Sequence, residues 1–558
     1  MASMARRIST LAVLALALLP SAARAAEPTG RWLVSFENRS TARSASALGA
    51  VMARTGVERA GRGVPGLGIA TVDGPAAAIA SLRRDPAVES VSAEWRRDFR
   101  RLPNDPGLSE QEPDAPAGTP IQWWLARSGF PEAWDVTTGA GAIVGIIDSG
   151  IDGGHPQLSS KIAVAEQFGG VSGPLVDEDG HGTHVSGLAC AATGDGSAVA
   201  GAGWDCRIAL MKTPLLRDED IINGIFRAVE HGADAINMSF GGGEPTPAMA
   251  SAIDFAFLRG VVLVAAASND QDSDQGSPAS QLQPGDAAQI ESGRGLVVTA
   301  VDFADLQAQT GRGSQISLAA YGFYDGTPPL DGPLGLLSTF PASTQTEVPP
   351  FLICACRASF DGDERYAYLE GTSMATPQVT ATAAMVGELN PFLTAPEKIR
   401  LIKETARRSG GWSPEVGWGI LDAGRALDLA RRIDKSAPTS RARSRRRVRV
   451  SRGARGRRPA RGRRRARASR RARVRVRLDG ADSPGAPGLL PSGVASFELF
   501  QKRGRGGFRR VRQVAGGSSV LLRLRPGVYR FFTRATDAAG NREAAPRRAD
   551  VRVAVRRR

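Results

Sequence analysis

The chain has 558 residues, of which 42% are apolar and 23% charged, and it carries a formal net charge of +16. That length and apolar content exclude a wholly disordered chain and allow two to four domains with ordinary buried cores. The charge is unevenly placed: residues 441–558 hold 37 Arg and Lys against 6 Asp and Glu, a net of +31, whereas residues 102–440 carry −22.

The chain opens with Arg6-Arg7, an apolar run from Leu11 to Leu19 and the small-residue site Ala23-Arg24-Ala25. This is the layout of a secretory signal peptide over residues 1–25, since the apolar run is far short of the ~20 residues of a membrane span. No later segment is long and apolar enough to cross a bilayer. Residues 26–101 follow as a small α/β unit: strand RWLVSF, a polar helix, strand GIATV, helix AAAIASLRRDP and strand VESVSAEW.

From 102 to 433 the pattern becomes strands alternating with helices. Apolar runs at AIVGIID, RIALMKT, ADAINMS, VVLVAAA and GLVVTAVD are separated by helical stretches such as EDIINGIFRAVEHG and AMASAIDFAFLRG. Such alternation predicts an α/β fold, a mainly parallel sheet with helices on both faces. Functional groups of such sheets gather beyond the carboxyl ends of strands. Asp148 follows IVGII, and Asn269 follows VVLVAAA. Residues 434–472 are Arg-rich and predicted to be a linker. Residues 473–558 alternate apolar and polar positions between Gly, Pro and Asp turns, which predicts an antiparallel β-sandwich. The stretch PGVYRFFTRATDAAGN resembles bacterial Ig-like or fibronectin type III modules.

Of the four cysteines, Cys190 and Cys206 would close a short loop after the His181 helix, and that bridge is favoured in an oxidising compartment. Cys354 and Cys356 leave three readings open: free, paired with each other, or metal ligands.

Hydrolysis of a peptide at neutral pH needs a nucleophile, a base, a group that orients the base, and donors for the oxyanion. In GTSMATP, residues 371–377, Pro377 is tolerated only near a helix start, so a helix begins at about Ser373 and sets its hydroxyl at the positive end. In DGHGTHVSGLACAA, glycines flank His181, the candidate base, and His184 is the candidate for a supporting role. Asp148 in VGIIDSGID is the candidate orienter. Asn269 in AAASND and the Ser373 backbone N–H are the candidate oxyanion donors.

IIDSGI, HGTHVSG, AAASN and GTSMATP, in that order, resemble the subtilisin-like serine proteases. The resemblance implies an endopeptidase that works through an acyl-enzyme, with residues 26–101, including DPAVESVSAEW, as an inhibitory propeptide removed near Arg101 to Pro103. It also implies that Ser239, Phe240 and Gly241 pair with the substrate backbone while Ala265, Ala266 and Ala267 form the opposite wall of the first specificity pocket. These walls are uncharged, so the expected preference there is apolar or broad. No cofactor is needed for the chemistry. Gln157 stands where many relatives carry a calcium-binding aspartate, which puts structural calcium in doubt, although Asp195 could partly replace it. Ser268 and Gln378 replace a usual glycine and a frequent histidine. The insertion from Tyr321 to Asp363 is read as a loop over the site or a surface excursion. The expected partners are protein or peptide substrates and the chain's own propeptide, and the enzyme is expected to act as a monomer. The basic tail suits polyanions or a cell surface, and equally suits folding back on the acidic core or a solvated linker.

Overall fold

The structure is a computed structural model that describes residues 26–38, 40–97, 102–113, 115–170, 172–325, 335–342, 357–360, 362–407, 410–450, 471–483, 485–515 and 519–557. The signal peptide, Cys354, Cys356 and most of the Arg-rich stretch therefore lie outside the described residues. The chain divides after Arg101 into two compact units.

In the first unit, strands β1 (Ala26–Phe36), β2 (Glu58–Arg59), β3 (Ile69–Asp73) and β4 (Val88–Arg97) form an antiparallel sheet in the order β2-β3-β1-β4. Helices α1 (Ala45–Thr55) and α2 (Ala76–Leu82) supply Leu48, Val51, Ile79 and Leu82 to a small core with Val34, Phe36 and Val72.

The second unit is built on strands β5 (Ile143–Asp148), β6 (Ile162–Gln167), β7 (Arg207–Lys212), β8 (Ala235–Met238), β9 (Val262–Ala266), β10 (Gly295–Val301) and β11 (Leu318–Tyr321). They form one parallel sheet in the order β11-β10-β9-β8-β5-β7-β6. Its longer helices are α3 (His181–Cys190), α4 (Asp218–Glu230), α5 (Pro247–Leu258), α6 (Thr372–Leu389), α7 (Ala395–Thr405) and α8 (Ala423–Arg432). Successive side chains of a strand point to opposite faces. Thus Ile146 joins the core cluster shared with α3, α6 and α8, while Ile147 joins the one shared with α4 and α5. Burial on both faces is why these strands read as continuous apolar runs. Truncating either isoleucine to alanine would cost about 2–5 kcal/mol. The expected α/β core is therefore present, and its parallel order puts the ends of β5, β8 and β9 side by side.

Two elements escaped the sequence pattern. Strand β6 is only half-buried, and β11 is a four-residue LAAY run. Part of the insertion after Tyr321 forms strands. Within it, β12 (Leu336–Thr339) and β13 (Arg357–Phe360) join β14 (Asp363–Leu369) in a three-stranded antiparallel sheet. Ser338 Oγ and Thr339 Oγ1 donate to the carbonyls of His184 and Thr183, both at 2.8 Å. This sheet therefore buttresses α3.

The C-terminal module pairs a three-stranded sheet with a five-stranded one. The strands are β15 (Thr439–Arg443), β16 (Arg447–Arg449), β17 (Ala472–Ala481), β18 (Val494–Arg503), β19 (Arg509–Ala515), β20 (Ser519–Leu524), β21 (Gly527–Asp537) and β22 (Val551–Arg556). The sheets run β15-β17-β20 and β16-β22-β21-β18-β19 and are antiparallel except for the β16–β22 pair. The expected linker at 434–472 is corrected here, because β15 and β16 lie within it. Between arginines that face water, Ala442 enters the core and Val448 packs against it, so the stretch has just enough apolar surface to pair.

Candidate active site

Asp148 ends β5 and is buried. Its Oδ1 accepts from Ser149 N at 2.8 Å and is paired with His181 Nδ1 at 2.8 Å, which places a proton on Nδ1 and makes Nε2 an acceptor only when the ring is neutral. His181 begins α3, preceded by Gly180 at φ 95°. A Cβ on Gly180 would lie 2.4 Å from the Phe340 ring, and one on Gly182 would lie 2.2 Å from the Gly150 carbonyl. Only glycines let the imidazole approach the end of β5 this closely.

Asp177 caps this turn. Its Oδ1 accepts from Gly180 N at 3.0 Å and Ser149 Oγ at 2.9 Å, and its Oδ2 accepts from Thr183 N at 2.8 Å and Thr183 Oγ1 at 2.6 Å. The loop that carries it is anchored by Lys212, whose fully buried Nζ donates to Ser172 Oγ and Val176 O at 2.7 Å and to Glu178 Oε2 at 2.8 Å. Burial works against a charged His181, but attraction to Asp148, Asp179 and Asp177 outweighs it and pushes its pKa up to about 9. His184 behaves in the opposite way. Burial pushes it down to about 3, and its Nε2 lies 3.1 and 3.0 Å from the carbonyls of Leu336 and Ala367. It is a neutral tie between α3 and the small sheet.

Ser373 lies in the first turn of α6, which starts one residue earlier than the sequence pattern predicts. Pro377 has no N–H to give the carbonyl four residues before it. That carbonyl, Ser373 O, instead accepts from Ser239 Oγ at 2.8 Å. Ser239 is positioned in turn by Asn237 Nδ2 at 2.9 Å, and Asn237 Oδ1 accepts from Thr380 Oγ1 at 3.0 Å. The Ser373 hydroxyl donates to Ser239 O at 3.0 Å rather than to His181.

Asn269 follows β9. Its Oδ1 accepts from Thr372 N and Thr372 Oγ1, both at 2.9 Å. This fixes the amide plane, so that Nδ2 is the group left to donate. Gly371 at φ 137° leaves the room, since a Cβ there would lie 3.1 Å from Asn269 Oδ1. Ser239 to Gly241 follow β8, and Ala265 and Ala266 close the neighbouring β9, which Ala267 follows, with Met238 in register with Ala265. A cleft of about 540 Å³ is lined by Asp148, His181, Ser239, Phe240, Asp179 and Leu215, among others.

Asp177, Ser149, Asn237, Thr372 and Thr380 were not singled out from the sequence. Asp177 stands three residues before Gly180, which holds the cap position, so the usual capping pattern does not announce it. Asn237 and Thr380 are brought together only by the fold.

Cys190 and Cys206 form the favoured disulfide, with Cα atoms 5.6 Å apart. The loop beyond it is where the resemblance implies calcium. Here Gln157 Nε2 donates to the carbonyls of Ser197 at 2.9 Å and Val199 at 2.8 Å, and its Oε1 accepts from Tyr366 Oη at 3.1 Å. A cation needs oxygens, and two of the loop carbonyls already face an amide donor. Asp195 Oδ1 accepts from Ser197 N at 2.9 Å. The residues present do not fit the ion.

The model of the Subtilase family matches residues 139–419, half of the chain, which span all four candidate catalytic groups. The chain belongs to the subtilase family. It is a serine-type endopeptidase. This subtilase is 27% identical over 291 residues to thermitase of Thermoactinomyces vulgaris, covering 51% of this chain and 85% of that one. It is 31% identical over 279 residues to subtilisin DY of Bacillus licheniformis, covering 49% and 86%. It is also 27% identical over 391 residues to an extracellular protease of Xanthomonas campestris, covering 62% and 60%.

Proposed function

We propose that this subtilase is a secreted endopeptidase that cuts peptide bonds through Asp148, His181 and Ser373 and matures by loss of the segment before residue 102. The observation that carries the reading is the 2.8 Å bond between His181 Nδ1 and buried Asp148, in the cleft that Ser239 also lines.

In the proposed cycle Ser373 Oγ turns from Ser239 O to His181 Nε2, gives up its proton there and attacks the scissile carbonyl carbon. The carbonyl oxygen becomes an oxyanion that accepts from Asn269 Nδ2 and Ser373 N–H at the positive end of α6. Collapse breaks the C–N bond, and His181 returns its proton to the leaving amine. Water then repeats the sequence on the acyl-enzyme, releasing the acid and restoring Ser373. Asp148 keeps its charge throughout and stabilises the imidazolium.

Residues 1–25 act as the export signal in this reading, 26–101 as the enzyme's own inhibitor, and the mature enzyme works as a monomer. An apolar or broad preference against Ala265 to Ala267 belongs to the same reading, as does a polyanion or cell-surface contact through the basic tail. The calcium of the family is replaced in the Gln157 loop by the amide. Ser373→Ala should abolish casein hydrolysis, abolish fluorophosphonate labelling and leave the precursor uncut. Full activity in that variant would sink the assignment.

A further inference from the structure

We propose that the outer face of the β15-β17-β20 sheet is a docking surface for duplex nucleic acid, which it holds by the phosphates without reading sequence. This deepens the polyanion reading of the tail by giving it an address and a partner, and its failure would leave the peptidase chemistry untouched.

The alternation of β17 is strict. Ala472, Val474, Val476 and Leu478 are buried in the module core, and Arg473, Arg475 and Arg477 are exposed on the other face. Register places Arg523 of β20 directly opposite Arg473, and Arg443 of β15 directly opposite Arg477. Arg443 is paired with Asp479 at 2.9 Å. Among the described residues no ion pair reaches Arg473, Arg475, Arg477 or Arg523.

Like charges directly opposite on one sheet face oppose pairing of the strands. Protection of sheet edges can account for arginines on β15 and β20, which are edge strands, but not for three on the central strand β17. The residues are all arginine, the side chain whose planar fork matches phosphate oxygens. Their spacing, about 6.7 Å along a strand and about 4.8 Å between strands, makes a dense cationic lattice.

Duplex nucleic acid, with one charge per about 1.7 Å of axis, is dense enough to set a phosphate against each of these arginines. The exposed positions of this face hold no aromatic ring on which an unpaired base could stack. Leu521 is its one large aliphatic side chain, which offers a bilayer little to hold.

The test uses the full chain carrying Ser373→Ala to prevent self-digestion, a fluorescent DNA duplex and anisotropy titrations across salt concentration. The parent should bind. Changing Arg473, Arg475, Arg477 and Arg523 together to Gln should flatten the slope of log K against log salt by about 3.6, at about 0.9 per phosphate lost. The corresponding four Lys substitutions should keep the slope, which separates charge from misfolding. With Ser373 intact, the Gln variant should cleave a chromogenic peptide like the parent. The proposal is overturned if the duplex does not bind, or if the Gln variant keeps the parent's slope. It is also overturned if phosphatidylglycerol vesicles bind the parent and the duplex does not.

Discussion

Ser239 and Ser373 hold each other through reciprocal hydrogen bonds: Ser239 Oγ donates to Ser373 O at 2.8 Å, and Ser373 Oγ donates to Ser239 O at 3.0 Å. The first bond exists because Pro377 withholds the helical N–H from that carbonyl. A proline that would ordinarily weaken a helix by about 3 kcal/mol thereby ties the nucleophile's backbone to the end of β8.

Ser239→Ala should leave the Ser373 carbonyl without its donor and lower stability by about 1–3 kcal/mol. Pro377→Ala supplies a replacement N–H, so the two changes should couple: the double variant should lose less than the sum of the singles by about 0.5–3 kcal/mol. Urea unfolding in a Ser373→Ala background measures this. Strict additivity would remove the proposed link between the two residues.

Activity should follow the charge of His181. In the proposed cycle only the neutral ring accepts the Ser373 proton, and Asp148, Asp179 and Asp177 hold the ring protonated up to about 9. The acidic limb of kcat/KM should therefore lie well alkaline of the ~6.5 of a free imidazole, with activity rising as pH rises. Asp179→Asn removes one of the attracting carboxylates and should shift the limb to lower pH, less so in high salt because Asp179 is exposed. A limb centred near 6.5 in the parent would contradict this.

The parallel core was legible because burial on both faces makes β7, β9 and β10 continuous apolar runs, whereas half-exposed β6 and four-residue β11 lack such a signature. Asp148, His181, Asn269 and Ser373 could be named because each sits in a local motif whose glycines and proline constrain the backbone around it. The Asn237–Thr380 bond joins residues 143 apart in sequence, and no local pattern announces it. The strands within 439–449 were hidden for a different reason: a run of arginines reads as solvated chain, and only pairing with β17 and β22 reveals which small side chains turn inward.

The loop around Gln157 should not need calcium. Chelation should leave the thermal unfolding of the parent unchanged. Gln157→Asp exchanges the amide donor for another acceptor facing the Ser197 and Val199 carbonyls, and should cost about 1–3 kcal/mol. Added calcium should restore the loss. If chelation lowers the parent's midpoint as much as the variant's, the amide has not taken the ion's place.

Asp105 provides an independent check on the same loop. It is 1% exposed, and its Oδ2 accepts from Gly194 N at 2.7 Å. Burial, assisted by neighbouring Asp195, raises its pKa from 3.8 to about 6, against the opposing Gly194 bond. A carboxyl with a raised folded pKa adds stability that is fully present below its unfolded value and is lost as pH climbs through the folded one. Its contribution should therefore fall between about pH 4 and 6 and leave a penalty of about 3 kcal/mol above that range. Asp105→Asn cannot ionise, so it should be more stable than the parent at pH 8 and indistinguishable from it near pH 4. Denaturant unfolding at the two pH values reads the difference. A bound cation would reverse the sign at pH 8, because Asn would then remove a charged ligand, so a destabilised Asn variant there would count against both this prediction and the calcium-free loop.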